Sequence, residues 1–164
     1  MGSEAVFVLN IVGIFLAFGL LARLYIWPRL RILPKERALI ILMVPHTFRF
    51  VGLTFLIPGV VSPTLTAKIA SPAAWGDFGA AILAFIAIAG ISRRWSFSTL
   101  LVWLFSLWGS VDLVYAYLNG IRLRLDPGSL GAAYYIPTAI VPPLLITHGM
   151  IFWLLIRSGK MVRQ

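Results

Sequence analysis

Five ionisable side chains interrupt long apolar runs of this sequence: His46 and Arg49 share one run, and Asp77, Asp112 and His148 fall in three others. An ionisable group at the centre of a bilayer costs several kcal/mol by most scales, so each such residue marks either chemistry or a deliberate pairing. Histidine exchanges a proton near neutral pH and offers a ligand nitrogen, a carboxylate accepts protons, and arginine is a fixed cation. His46, His148 and Asp112 are therefore the candidate catalytic groups. His46, Arg49, Trp108, Asp112, Tyr115 and His148 form the candidate ligand-binding set, in which the two histidines are also the candidate axial ligands of a haem b.

Other chemistries are excluded by what the chain lacks. With no cysteine, thiolate catalysis, iron–sulfur clusters and thiolate zinc sites have no donors. No HExxH, phosphate-binding glycine loop, nucleophile elbow or dinucleotide-binding glycine motif occurs, which removes the usual footing for hydrolytic and nucleotide-dependent reactions.

The elements that must hold these residues follow from composition. The 164 residues are 60% hydrophobic and only 12% charged, with a mean hydropathy of +0.96, whereas a soluble domain carries roughly a quarter charged residues. A spanning helix needs about 20 mostly apolar residues. Five runs meet that length, at about 5–27, 38–61, 72–91, 96–118 and 132–156. They are apolar on all sides, where a membrane strand would alternate. The reading is an all-α integral membrane protein, one five-helix transmembrane bundle over residues 1–164 without a soluble domain, placed in a membrane of the bacterial inner (plasma) type.

A net charge of +9 points to topology and not to nucleic acid, because basic residues cluster between the runs. With the amino terminus outside, the inner segments hold Arg23, Arg29, Arg31, Lys35, Arg37, Arg93, Arg94, Arg157, Lys160 and Arg163. The outer segments hold only Lys68, Arg122 and Arg124. That asymmetry sets the amino terminus outside and the carboxyl terminus in the cytoplasm. The basic stretch from Arg23 to Arg37 also faces anionic lipid headgroups.

Depth brings the ionisable residues into two tiers. At about 1.5 Å of rise per residue, His46 and His148 fall at one level on the cytoplasmic side of centre, while Asp77 and Asp112 lie outward. Arg49 sits between the tiers, within reach of either carboxylate, and Asp112 is the expected partner. The tiers are too far apart for all four residues to ligate one metal ion. Pro45 precedes His46, and Pro137, Pro142 and Pro143 precede His148, so both histidines are expected to follow breaks in their helices. Phe105, Trp108, Asp112, Tyr115 and Asn119 recur at helical spacing and give the fourth span an aromatic stripe. Gly76, Gly79, Ala80, Ala84 and Ala87 make the third span a close-packing, central helix.

The leading reading is an intramembrane polar and aromatic pocket that binds or passes an apolar small molecule, of isoprenoid, sterol-like or pigment type. A bis-histidine haem cytochrome, a proton-shuttling isomerase acting on a lipidic substrate, and an accessory subunit of a larger membrane complex or homo-oligomer stay open beside it. In length and number of spans the chain resembles the translocator-protein family. The likeness ends there, because that family's tryptophan- and proline-rich first loop has no counterpart, and no site residue is carried over from it.

Overall fold

A computed structural model describes residues 2–157; Lys160 and Arg163, counted above for orientation, lie outside the described residues. The apolar runs form five helices, each long and apolar enough to cross a membrane: α1 (Ser3–Leu30), α2 (Lys35–Leu56), α3 (Ala67–Ser92), α4 (Ser98–Arg122) and α5 (Ile136–Ile156). Among the described residues no strand forms beyond an isolated bridge between Pro58 and Val61.

Proline positions explain where the helices depart from their expected bounds. Pro72 was expected to open the third span, but α3 starts at Ala67 and takes Pro72 inside it. Proline has no N–H to give the carbonyl four residues back, here that of Lys68. The Asn119 side-chain amide of α4 donates to that carbonyl at 2.8 Å, which mends the gap and fastens α4 to α3. In α5 the first turn, Ile136–Ile140, is a π-turn in which the Val141 N–H reaches back to the Ile136 carbonyl. The next bond of that register would come from residue 142, a proline, so the Pro137 carbonyl accepts the Tyr117 hydroxyl instead, at 2.6 Å. Both substitutions place a polar tip of α4 on a backbone carbonyl freed by proline.

The fifth span was expected from Ala132, yet residues Pro127–Tyr134 form a separate 3-10 segment. Gly131 there has φ 53° and ψ −131°, a conformation closed to residues with a Cβ, and a Cβ would also run into the Val60 carbonyl. The close approach lets Ala132 N–H donate to Val60 O and Ser62 N–H to Ser129 O, both at 2.9 Å. The α2–α3 and α4–α5 connections are thereby tied at one end of the bundle.

α3 is the central helix, packed most extensively against α2 and α4. Ala74, Ala80, Ala81, Ala84 and Ala87 are fully buried along it, small side chains that let neighbouring backbones approach closely. α1 packs chiefly along α5, with Trp27 and Trp153 edge to face at 4.5 Å. Two apolar cores result. One, at the end where α2 begins, includes Leu39, Leu42, Met43, Phe105, Ile151 and Leu154. The other, at the tied-loop end, includes Phe55, Leu113, Leu130, Val141 and Leu144.

Candidate functional site

Between those cores lies a layer of polar side chains from four helices, and its geometry begins in α2. That helix is α-helical over Lys35–Met43 and 3-10 over Val44–Leu56. Pro45 marks the change, since it cannot continue the α-helical bonding to the Ile41 carbonyl. A 3-10 helix has three residues per turn and eclipses positions i and i+3. His46, Arg49, Gly52 and Phe55 therefore stand in one row, and these are the buried residues of the segment. Runs of 3-10 helix longer than a few residues are uncommon, and within a helix they often mark a functional hinge or a sequence under strain.

Arg49, 1% exposed, joins the layer together. Its Nε donates to Asp77 Oδ1 of α3 at 2.6 Å, and its Nη2 donates to Asp112 Oδ2 of α4 at 2.5 Å. Nη1 reaches the Gly109 carbonyl at 3.3 Å. The planar guanidinium fork thus spans both carboxylates, which a point-charge ammonium cannot do. Asp112 pairs with Arg49 as the depths led one to expect, and Asp77, the other carboxylate of the outward tier, is a second partner.

The histidines meet one turn away. Their rings lie 4.2 Å apart between centroids, inclined by 51°, and Phe105 packs on both at 5.0 and 5.1 Å. The Thr147 hydroxyl lies 2.8 Å from the Leu144 carbonyl, which can only accept, so its oxygen accepts from His46 Nε2–H at 3.0 Å. His46 Nδ1 is then an acceptor without a partner. His148 Nδ1 bonds Ser106 Oγ at 3.0 Å, while its Nε2 and the Ser110 hydroxyl are buried and unpartnered. Rings in van der Waals contact leave no slot for a macrocycle, which a bis-histidine haem must seat between imidazoles on opposite faces of its iron. The pair as packed does not fit that cofactor. Among the described residues no group of three or more metal-ligating side chains is arranged around an ion site.

Glycine makes room for each charged insertion. A Cβ on Gly52 of α2 would overlap the Asp77 carboxylate, and one on Gly76 of α3 would overlap that of Asp112. On α4 a Cβ at Gly109 would stand 2.6 Å from His148 Nε2 and 2.9 Å from Arg49 Nη1. One glycine on each of three consecutive helices thus faces a polar group of the layer.

A cavity of about 450 Å³ lies apart from this layer, at the tied-loop end. Its walls are mostly apolar and come from α1 (Phe7, Val8, Ile11), the end of α2 (Phe55), α3 (Ile69, Ala73), α4 (Leu113, Ala116) and the start of α5 (Pro137, Val141). Tyr115 and Tyr117 line it, and its charged lining residues, Glu4 and Arg124, stand at the start of α1 and just past α4.

Residues 6–156 match the family model described as a domain of unknown function, DUF8737. The chain belongs to that family. No curated protein and no solved structure matches it.

The six candidate ligand-binding residues of this DUF8737 chain divide between these places. His46, Arg49, Asp112 and His148 gather in the polar layer, Tyr115 lines the cavity, and Trp108 lies half exposed over the α3 surface with its Nε1 donating to the Gly76 carbonyl at 3.3 Å. The aromatic stripe of α4 is therefore not one pocket wall. Phe105 belongs to the histidine pair, while Trp108, Asp112 and Asn119 meet α3, and Asn119 also lines the cavity with Tyr115. Ser106, Gly52 and Gly109 were not singled out from the sequence. The available signal was a glycine three residues from a charge, Gly52 after Arg49 and Gly109 before Asp112. Of the cavity walls the sequence marked Tyr115 and Asn119 in the α4 stripe, but not that they meet apolar residues from helix ends far apart in the chain.

Proposed function

We propose that this chain is an integral membrane protein that binds an apolar or amphipathic small molecule, of isoprenoid, sterol-like or pigment type, in the cavity between α1, α3 and α4. The observation that carries the proposal is the cavity itself. Its volume of about 450 Å³ lies within the range of small-molecule sites, roughly 300–1,000 Å³, and its walls are apolar with a few polar groups, the usual makeup of such sites. Glu4 and Arg124 suit the polar head of a ligand whose apolar body lies deeper, against Phe55 and Leu113. Tyr117 contributes an apolar ring there, since its hydroxyl is already engaged with the Pro137 carbonyl.

The membrane setting is supported by the outward faces of the helices: Leu9, Leu16, Leu20 and Leu24 of α1 and Leu100, Leu104, Leu107 and Val111 of α4 are exposed. Apolar patches of this extent need an apolar surrounding. The excess of Arg and Lys in the α1–α2 connection supports an orientation with that connection in the cytoplasm and the cavity end outside, and the membrane we propose for it is of the bacterial inner type.

Native mass spectrometry of the chain after gentle detergent extraction tests the reading. The expected result is a bound lipidic mass at one copy per chain. A protein that arrives without any such mass and also fails to take one up from added isoprenoid or sterol would overturn it, and would favour a subunit whose role lies in a partner.

A further inference from the structure

The polar layer poses a separate question, independent of the cavity and its occupant: its charges do not balance. The charged or titratable side chains that face it among the described residues are His46 and Arg49 on α2, Asp77 on α3, Asp112 on α4 and His148 on α5. With both carboxylates ionised and both imidazoles neutral, one guanidinium faces two negative charges. An uncompensated charge in a buried site is expensive, and here Arg49 is 1% and Asp77 6% exposed, with apolar cores at either end. The layer also holds two ring nitrogens that bond nothing, His46 Nδ1 and His148 Nε2, buried in residues 0% and 1% exposed. His46 Nδ1 is a spare proton acceptor, and His148 Nε2 is one in the tautomer whose Nδ1–H donates to Ser106 Oγ. His148 Nε2 and Arg49 Nη1 flank the same notch at Gly109, so that nitrogen is aimed into the charged cluster.

We propose that this layer is a proton-binding site, holding one exchangeable proton shared between the Asp77–Asp112 carboxylate pair and the His46–His148 imidazole pair. The ligand is H⁺, taken from and returned to water, and no electrons move. In one seat the proton forms a carboxylic acid beside Arg49; in the other it forms an imidazolium at the histidine pair. Either seat leaves the layer neutral. The site exchanges at the α3–α4 seam through Asp112, whose side chain is the more exposed of the two carboxylates, at 12% against 8% for Asp77.

The chain has two histidines in all, so ¹⁵N-histidine spectra of the full protein in lipid nanodiscs contain only the two imidazoles of this layer. Infrared difference spectra between H₂O and D₂O report a carboxylic acid. The expected result near neutral pH is one bound proton, seen either as a deuterium-sensitive acid band or as one cationic imidazole. In Asp112→Asn the layer is balanced by Asp77 alone, and both signatures vanish. Two ionised carboxylates and two neutral imidazoles in the wild-type protein from about pH 5 to 8, the range in which histidine titrates, would overturn the proposal. That measurement needs no variant to fold. Persistence of either signature in a folded Asp112→Asn protein would also count against it.

Discussion

At the scale of single residues, Arg49 decides whether the polar layer is tolerable. Removing one partner of a buried ion pair leaves an uncompensated charge and costs about 3–5 kcal/mol. Arg49→Met is therefore expected to lower stability by that order in detergent unfolding, because it strands Asp77 and Asp112 together. Arg49→Lys recovers only part of it, as one ammonium cannot make both carboxylate bonds in the observed geometry. The triple change Arg49→Met, Asp77→Asn, Asp112→Asn is expected to be far milder than Arg49→Met alone. Equal losses in the single and triple variants would mean that charge is not what the layer balances. Much of this layer was legible in the sequence. Counting rise per residue put His46 and His148 at one level and Arg49 near Asp112. The count assumed α-helical rise throughout, and so did not anticipate a 3-10 segment, with about 2.0 Å per residue and an i, i+3 row. That row is why Gly52 stands opposite Asp77 and why Phe55 extends to the cavity.

At the scale of elements, the helices are held by side chains that repair what proline removes. Asn119 supplies the Lys68 carbonyl with the donor that Pro72 lacks. Asn119→Ala leaves that carbonyl without its partner, a loss of about 1–3 kcal/mol. Pro72→Ala restores a backbone N–H to the same carbonyl, so the cost of Asn119→Ala should shrink markedly in the Pro72→Ala background. A double-mutant cycle on unfolding free energies measures this coupling; strictly additive effects would show that the two groups do not serve one carbonyl. Five helices were evident from apolar run length, which depends only on composition. Their ends were not, because they are set by these local exchanges. Gly131 separates the Pro127–Tyr134 segment from α5, and no hydropathy sum registers that turn.

At the scale of the whole molecule, an interior polar layer and an apolar cavity near one end occupy different places in the same bundle. Their orientation is testable because the chain has no cysteine, so single cysteines report without background. Thr64→Cys, in the α2–α3 connection, is expected to react with an impermeant maleimide from outside intact cells. Ile32→Cys, in the α1–α2 connection, should react only after permeabilisation. The reverse pattern would invert the topology, placing the cavity in the cytoplasmic half.

The central claim is that ligand binding belongs to the cavity and not to the polar layer, and bound mass in two variants separates them. Ala116→Trp projects a large ring into the cavity from α4, whereas His148→Gln alters the layer without touching a cavity wall. Native mass spectrometry should find the lipidic adduct lost in folded Ala116→Trp and retained in folded His148→Gln. Retention in Ala116→Trp with loss in His148→Gln would contradict the account and return the binding site to the histidines.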